Sequence, residues 1–284
     1  MPLVPTGEIV DTAAAAGRGA GAFNVIQLEF AEAIVAGAER ADRPVLLQVS
    51  QNVARYHGAL APIMLATLAV ARAAVVPVAV HLDHATDPAV VSEAVALGVS
   101  SVMFDASQLP YAGNVAATAA VVARCHAAGV WVEAQLGDIG GKDGAHTSGT
   151  HTDPAVAANF VAATGVDALA VAVGTSHAML TRQAKPDLTL IGRLRALVPV
   201  PLVLHGSSGV SDADLAAAVA AGMTKVNIAT HLSKAFTKAV RDFLSEDPGV
   251  VDTRRYLGPA REAVASEVAH LFTVLGPSGA ISRD

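Results

Sequence analysis

The sequence has 284 residues, of which 52% are hydrophobic and 15% are charged, and its formal net charge is −6. A chain of this composition can bury a large core, and no polar tract is long enough to predict disorder. The acidic balance and the lack of a basic run argue against nucleic acid or an anionic membrane surface as a partner.

Eight strand-like apolar runs alternate with alanine-rich helical segments along the chain. The predicted strands cover residues 21–25, 44–50, 76–84, 101–107, 130–137, 168–178, 201–208 and 225–230. Because helices separate the strands, neighbouring strands are expected to run parallel. Eight such units predict an α/β fold of the (β/α)8 TIM barrel type, with residues 1–284 in a single domain. A doubly wound open sheet is the alternative, but no glycine-rich dinucleotide turn follows the first strand.

Several features bear on location and assembly. The most apolar window, near residues 63–80, contains Arg72 and Pro77, which favours a buried helix followed by a strand over a membrane span. The helical segments after Thr230 predict a C-terminal extension that takes part in contacts between subunits. The single Cys125 excludes an intrachain disulfide, and the N-terminal stretch MPLVPTGEIV does not have the pattern of a signal peptide. We therefore expect a cytoplasmic protein.

Polar side chains stand at the carboxyl ends of the predicted strands, where barrels of this type carry catalytic groups. The imidazoles of His84, His177 and His205 end three strands and predict an open zinc site, with one position left for water or substrate. Asp83 is either a catalytic carboxylate or a partner that orients an imidazole, since strand alternation alone separates it from His84. The remaining histidines are interpreted as structural or solvated: His57, His126, His146, His151, His231 and His270.

A phosphate site is predicted where the last two strands end. Gly206, Ser207 and Ser208 follow the seventh strand, and the run Asn227, Ile228, Ala229 and Thr230 closes the eighth. Loops at these positions commonly bind phosphate in such barrels, through backbone N–H groups and hydroxyls. The alternative is an ordinary turn and helix cap at each place.

Six motifs carry a resemblance over nearly the whole chain. They are HLDH, VMFDAS, VEAQLGDIGG, GTSHA, LHGSSG and KVNIAT, in this order. Together they resemble the class II, zinc-dependent ketose-bisphosphate aldolases. The resemblance implies one Zn²⁺ per chain and reversible cleavage of a fructose- or tagatose-type ketose 1,6-bisphosphate. The products would be dihydroxyacetone phosphate and glyceraldehyde 3-phosphate, and a homodimer or homotetramer is expected.

The resemblance also implies residue roles. Asp83 matches the catalytic acid/base that moves the proton of the substrate C4 hydroxyl, and His84, His177 and His205 match the zinc ligands. The stretches after the seventh and eighth strands match those that hold dihydroxyacetone phosphate. Backbone carbonyls near Gly174 and Gly206 match a site for a monovalent cation.

The sequence departs from the family pattern near the metal and the phosphate. Ala178 replaces a glycine beside the phosphate, and Gln135 replaces an acid that serves some relatives as an alternative zinc ligand. Asp105 keeps the place of the other alternative ligand and marks a possible second metal position. Glu133 remains near the site, with a buried structural role as its alternative. Ser50 is a further candidate at the end of the second strand.

Further departures concern the base and the sugar. The loop after IGG lacks the usual glutamate, so Asp143 is the stand-in for the proton-abstracting base. Ala229 replaces an aspartate of the fructose-bisphosphate enzymes and resembles the tagatose type. Ser233 replaces an arginine that binds the distal phosphate in some relatives. Two alternatives therefore stay open: an aldolase for another phosphorylated ketose, such as a deoxy- or keto-sugar phosphate, and a weakly active regulatory subunit.

Overall fold

The computed structural model of the chain describes residues 2–137, 151–176, 179 and 181–276. Within these ranges eight parallel strands form a closed barrel, in which each strand pairs with the next and the first closes onto the last. The strands are β1 Ala20–Asn24, β2 Val45–Ser50, β3 Val78–Ala85, β4 Ser101–Phe104, β5 Trp131–Leu136, β6 Ala168–Val171, β7 Leu202–Leu204 and β8 Met223–Ile228. The predicted TIM barrel is therefore confirmed.

Helices surround the barrel and close one of its ends. In the described ranges they are α1 Thr6–Ala15, α2 Leu28–Ala41, α3 Gln51–His57, α4 Ala61–Ala73, α5 Pro88–Leu97, α6 Tyr111–Ala127, α7 Pro154–Thr164, α8 Leu188–Leu197, α9 Asp212–Ala221, α10 Thr230–Glu246 and α11 Arg254–Val274. Several of them begin at a polar residue that caps the helix. In α5, for example, the Asp87 side chain accepts a hydrogen bond from the backbone N–H of Ala89. Glycines in the left-handed region end others, as expected from the sequence, for example Gly98 and Gly165.

Several predicted strands are longer than the observed ones at their carboxyl ends, and the run 101–107, for example, is a strand only to Phe104. The run 168–178 is a strand only to Val171, since the chain turns through Gly174, whose φ is +93°. The run 201–208 ends at Leu204 and continues as a 3-10 turn over Ser207–Gly209. Thr230 is the first residue of α10 rather than the end of β8. In each case candidate site residues lie beyond the end of the strand, in a turn, a loop or the start of a helix.

The helix α1, which the periodicity of the sequence did not reveal, covers the amino-terminal end of the barrel. Its apolar face packs on strand residues that point into the barrel floor, a cluster formed by Ile9, Val10, Ala13, Ala20, Ala22, Leu46 and Ala79. The hydroxyl of Thr6 also donates to Ser101 Oγ over 2.6 Å. The other end of the barrel, where the carboxyl ends of the strands lie, is called the mouth below.

The C-terminal extension packs on the barrel of its own chain. Helix α11 lies against α2 and α10, and the Phe272 ring meets Phe23 edge to face at 5.6 Å. The Phe30 and Phe236 rings stack at 4.9 Å and join α2 to α10. A role between subunits, and the extent of one domain over residues 1–284, stay predictions.

The apolar window near residue 63 is a helix followed by a strand, as predicted. Its α4 segment is packed into the core through Ile63, Met64 and Leu68. No single helix in the described part of the chain is long and apolar enough to cross a bilayer, and α3 and α4 reach that length only as a pair bent by 116°.

Candidate active site

Two of the three predicted metal ligands face each other at the mouth of the barrel. His84 lies at the end of β3 and His205 directly after β7. Their ring nitrogens, Nε2 of His84 and Nδ1 of His205, are 3.0 Å apart. Two nitrogens bound to one tetrahedral zinc at about 2.0–2.1 Å lie about 3.3 Å apart. The observed separation is therefore close to that of two ligands on one ion.

A backbone irregularity in β3 brings Asp83 and His84 to the same place. His84 has a φ of +48°, and the pairing of β3 with β4 shifts register between Leu82 and Ala85. Strand alternation would send neighbouring side chains to opposite faces, but a bulge with a left-handed residue turns one of them. Asp83 Oδ1 consequently lies 4.0 Å from His84 Nε2. This resolves the direction of His84, which the sequence left open.

Each histidine of the pair has a carboxylate beside its outer nitrogen, the ring nitrogen that does not face the other histidine. His205 Nε2 lies 2.8 Å from Glu133 Oε1, and His84 Nδ1 lies 3.3 Å from Asp105 Oδ2. Burial lowers the pKa of His205, although the hydrogen bond to Glu133 opposes this effect. A neutral imidazole whose outer N–H is held by a carboxylate presents a lone pair on its other nitrogen. Both rings are thus arranged as metal ligands.

The charge around the pair also fits a divalent cation. Asp83, Asp105 and Glu133 are buried, and the buried Lys225 is the cation that accompanies them. Three carboxylates and one ammonium leave two negative charges in a region of low dielectric constant, which a divalent ion would balance. The donor set and the charge are therefore compatible with zinc.

The third predicted ligand, His177, lies outside the described residues, as do Ala178, Asp143 and His146. Among the residues that are described, no group of three His, Cys, Asp or Glu side chains is arranged to hold a metal. The chain that leads to His177 does reach the mouth. Thr175 Oγ1 donates to the carbonyl of His205 over 2.6 Å.

Asp83 has one oxygen that is hydrogen-bonded and one that lies near His84. Its Oδ2 accepts a hydrogen bond from Asn24 Nδ2 over 3.0 Å, and its buried Oδ1 has no hydrogen-bond partner among the described residues. Burial raises the pKa of Asp83, but the nearby His84, His205 and Lys225 outweigh burial and hold the pKa below its usual range. Asp83 is therefore an ionised carboxylate with an oxygen available to accept a proton.

The two predicted phosphate loops pack on each other. Gly206 has a φ of +68° and is followed by the turn Ser207–Gly209. Ser207 Oγ donates to the carbonyl of Asn227 over 2.5 Å, and Ser208 Oγ accepts from the backbone N–H of His231 over 3.2 Å. The start of the 17-residue α10 lies beside this turn. A helix N-terminus next to a turn with hydroxyls is a favourable place for an anion.

Gly206→Ala is expected to destabilise the protein by more than the ~1–2 kcal/mol of a left-handed alanine. A β-carbon there would lie 2.6 Å from the carbonyl oxygen of Ser176, so backbone must move. Gly98→Ala is the matched control, because Gly98 has a φ of +92° in open space. Chemical denaturation of both variants should show a larger loss for Gly206→Ala, and equal losses would contradict the contact.

The remaining site candidates have mixed outcomes. Ser50 Oγ accepts from Val53 N–H and caps α3. Asp105 Oδ1 accepts from the Ser107 hydroxyl over 2.6 Å, so both of its oxygens have partners. Gln135 Nε2 donates to the carbonyl of Gly137 over 3.1 Å. Binding roles for Ser50 and Asp105 stay predictions.

The sequence did not indicate three polar residues inside the barrel: Asn24, Gln48 and Lys225. Lys225 is fully buried, and its Nζ lies 2.8 Å from Glu133 Oε2. Burial raises the pKa of Glu133, but Lys225 and the hydrogen bond to His205 together lower it to about 2. The signal that could have indicated these residues is a polar side chain within an otherwise apolar strand.

Four other histidines in the described part of the chain have polar partners of their own, in agreement with a structural role. His126 and His270 lie 2.8 Å from Asp167 and Asp212, and His231 lies 2.6 Å from Glu267. His57 Nε2 lies 2.8 Å from the carbonyl of Ile26. For these residues the sequence interpretation as structural groups is consistent with the contacts.

His81 is expected to make stability fall as the pH is lowered from about 6.5 to 4.5. Burial first, and then Lys225, lower its pKa from 6.5 to about 3, so between these values only the unfolded chain binds the proton. In denaturation curves, His81→Gln should reduce the pH slope by about 1.4 kcal/mol per pH unit. His126→Gln is the exposed control, and an unchanged slope in His81→Gln would contradict the prediction.

Comparison with known proteins gives a consistent result. The family model described as "Fructose-bisphosphate aldolase class-II" matches residues 4–280. Fructose-bisphosphate aldolase of Geobacillus stearothermophilus is 38% identical, over 98% of this chain and 99% of that protein. Fructose-bisphosphate aldolase of Thermus caldophilus is 39% identical, with the same coverage. The crystal structure of the YdjI aldolase from Escherichia coli K12 superposes with a TM-score of 0.87 at 30% identity, over 98% of each chain.

Proposed function

Because the chain belongs to the class II fructose-bisphosphate aldolase family, we propose that it cleaves a ketose 1,6-bisphosphate to dihydroxyacetone phosphate and glyceraldehyde 3-phosphate. The observation that carries this proposal is the pair His84 and His205, with ring nitrogens 3.0 Å apart and Asp83 beside them. A metal ligand pair next to an ionised carboxylate is the set of groups that aldol cleavage needs.

We propose that the metal is zinc, held by His84 Nε2, His205 Nδ1 and the predicted ligand His177. The class is generally metal-dependent, and the carboxylates behind the two described histidines support neutral nitrogen ligands. When bound, a divalent cation supplies the positive charge that stabilises the negative charge on the three-carbon ketone fragment. The protein's own groups perform the remaining tasks.

In the proposed reaction Asp83 Oδ1 takes the proton of the C4 hydroxyl. The C4 oxygen then forms a carbonyl, the C3–C4 bond breaks, and its electron pair moves toward C2 and the C2 oxygen. Asn24 holds the other oxygen of Asp83 by a hydrogen bond of 3.0 Å, so Oδ1 is the oxygen left for the substrate hydroxyl. C3 must later receive a proton, for which Asp143 stays the predicted source.

The turn after β7 and the start of α10 are proposed to hold the phosphate of the dihydroxyacetone phosphate half. Ser208 already accepts a hydrogen bond from the backbone of His231, so its hydroxyl hydrogen can be donated to a phosphate oxygen. Ser207 has a different task, since its hydroxyl binds the carbonyl of Asn227 and joins the two loops. The two loops are thus joined by a hydrogen bond within the protein itself.

The deciding experiment compares cleavage of fructose 1,6-bisphosphate and tagatose 1,6-bisphosphate by the purified protein. Release of dihydroxyacetone phosphate is followed with a coupled dehydrogenase, alongside the corresponding monophosphates. Cleavage of either bisphosphate supports the proposal, and the ratio of the two kcat/KM values assigns the sugar. Inactivity on every ketose phosphate, in protein loaded with zinc, would overturn it.

A second candidate is cleavage of a different phosphorylated ketose with the same three-carbon product. The observation that favours it is Ser233, at a position where some relatives carry an arginine for the distal phosphate. The structural relative from Escherichia coli is named only as an aldolase, without a sugar. Higher kcat/KM for a ketose that lacks the distal phosphate would favour this alternative over the bisphosphate.

A further inference from the structure

A fully buried lysine lies at the centre of the polar network inside the barrel. Lys225, in β8, donates from Nζ to Gln48 Oε1 over 2.6 Å and to Asn227 Oδ1 over 2.7 Å. Its third neighbour is Glu133 Oε2 at 2.8 Å. An ammonium group has three N–H donors and no acceptor, so each contact requires an oxygen on the partner. The lysine therefore determines which way the amide groups of Gln48 and Asn227 are turned, and it forms an ion pair with the Glu133 carboxylate.

One arm of this network leads from Lys225 to Asp83. Gln48 turns its oxygen to the ammonium, so its amide nitrogen donates to Asn24 Oδ1 over 3.1 Å. Asn24 in turn directs its own nitrogen to Asp83 Oδ2 over 3.0 Å. The direction of every bond follows from the first one. The arm ends by occupying Oδ2 of Asp83, which leaves Oδ1 for the substrate hydroxyl.

A second arm leads from Lys225 to His205. The ammonium holds Oε2 of Glu133, and Oε1 of the same carboxylate accepts the N–H of His205 Nε2 over 2.8 Å. Asn227 Nδ2 also lies 3.1 Å from His205 Nε2, but the shorter contact with the charged Glu133 carboxylate outweighs it. The proton therefore stays on Nε2, and the lone pair lies on Nδ1, which faces His84. The arm therefore ends on the nitrogen that binds the metal.

We propose that Lys225 is a positioning residue that selects, through these two arms, the oxygen that Asp83 presents to the substrate and the nitrogen that His205 presents to the metal. This rests on the proposed function of Asp83 and His205 at the mouth. A buried ion pair is weak evidence for stability in itself, because desolvation offsets much of its attraction. Apolar residues in place of the ion pair could not orient hydrogen bonds to Asp83 and His205.

The test uses three variants that address the arms separately. Gln48→Glu keeps the contact with Lys225 but removes the N–H donated to Asn24, so kcat should fall about 100-fold while metal affinity stays unchanged. Glu133→Gln should lower metal affinity about 10–100-fold. Lys225→Met should change both quantities. Thr67→Val is the control, because Thr67 is buried in α4 and its hydroxyl binds only its own helix.

Three readouts separate this role from a structural one. Zinc affinity is measured by chelator competition, kcat by release of dihydroxyacetone phosphate, and the His205 tautomer by ¹⁵N NMR of the metal-free protein. The expected result is that only Glu133→Gln and Lys225→Met alter the His205 nitrogen shifts. If Lys225→Met lowers thermal stability alone, the proposal is wrong.

If Lys225→Met fails to fold, Gln48→Glu and Glu133→Gln still test whether the two arms act separately. Equal effects of Gln48→Glu and Glu133→Gln on kcat and on zinc affinity would overturn the existence of separate arms. Failure of the proposed function is a distinct outcome. A parent protein that is inactive on all ketose phosphates removes the aldolase proposal, while zinc affinity and the His205 shifts still test the positioning role.

Discussion

Removal of the bound metal is expected to abolish aldol cleavage by this protein, and added zinc is expected to restore it. The buried groups around His84 and His205 carry two net negative charges, so the described residues do not themselves offset the charge that develops on the ketone fragment. The measurement is metal content by atomic emission, together with cleavage of fructose 1,6-bisphosphate, before and after treatment with a chelator. We expect about one zinc per chain in the active protein.

Matched substitutions extend this prediction to the individual ligands. His84→Ala and His205→Ala should each lose both the metal and the activity. His126→Ala should retain both, because His126 lies on the surface and contacts Asp167 instead of the site. Full activity in protein shown to be free of metal would contradict the predicted centre.

Asp83→Asn is expected to lower kcat by about 10²–10⁴-fold while the metal stays bound. The asparagine can still accept the hydrogen bond from Asn24 through its oxygen, but it then places an NH₂ group where Oδ1 lies in the parent. That group cannot accept the proton of the C4 hydroxyl. Steady-state cleavage kinetics and metal analysis of the same preparation check both parts.

Asp105→Asn provides the comparison for Asp83. Asp105 is also a buried carboxylate near His84, but it contacts the outer nitrogen of the ring. Its loss should weaken metal binding and leave kcat of the metal-saturated enzyme nearly unchanged. If Asp83→Asn shows this same pattern, Asp83 is an orienting partner, which is the other interpretation that the sequence allowed.

Much of the fold could be predicted because the barrel repeats a simple pattern. Each predicted strand overlaps an observed strand, and Asp83, His84 and His205 lie at the mouth as expected. The carboxyl ends of parallel strands meet at one end of a barrel, so polar residues at those ends converge. Strand ends were less well predicted, since turns after β6 and β7 depend on glycines with positive φ.

The interior of the barrel could not be predicted in the same way. Asn24 and Gln48 are partners across the paired strands β1 and β2, but Lys225 belongs to β8, far from both in the sequence. The contact of Lys225 with Gln48 arises only when β8 pairs with β1 and closes the sheet. The direction of His84 was equally inaccessible, because a bulge depends on pairing with a neighbouring strand.

Two strands that carry the proposed metal ligands also depart from regular pairing. The register shifts between β3 and β4 at Leu82 to Ala85, and between β7 and β8 at Leu202 to Val203. A closed barrel has a fixed total stagger, so a slip of one strand must be taken up around the whole circle. A one-residue slip would turn Asp83 and His84 away from the mouth. The fraction of catalytic activity recovered after refolding therefore measures the fraction of molecules whose barrels closed in the native register.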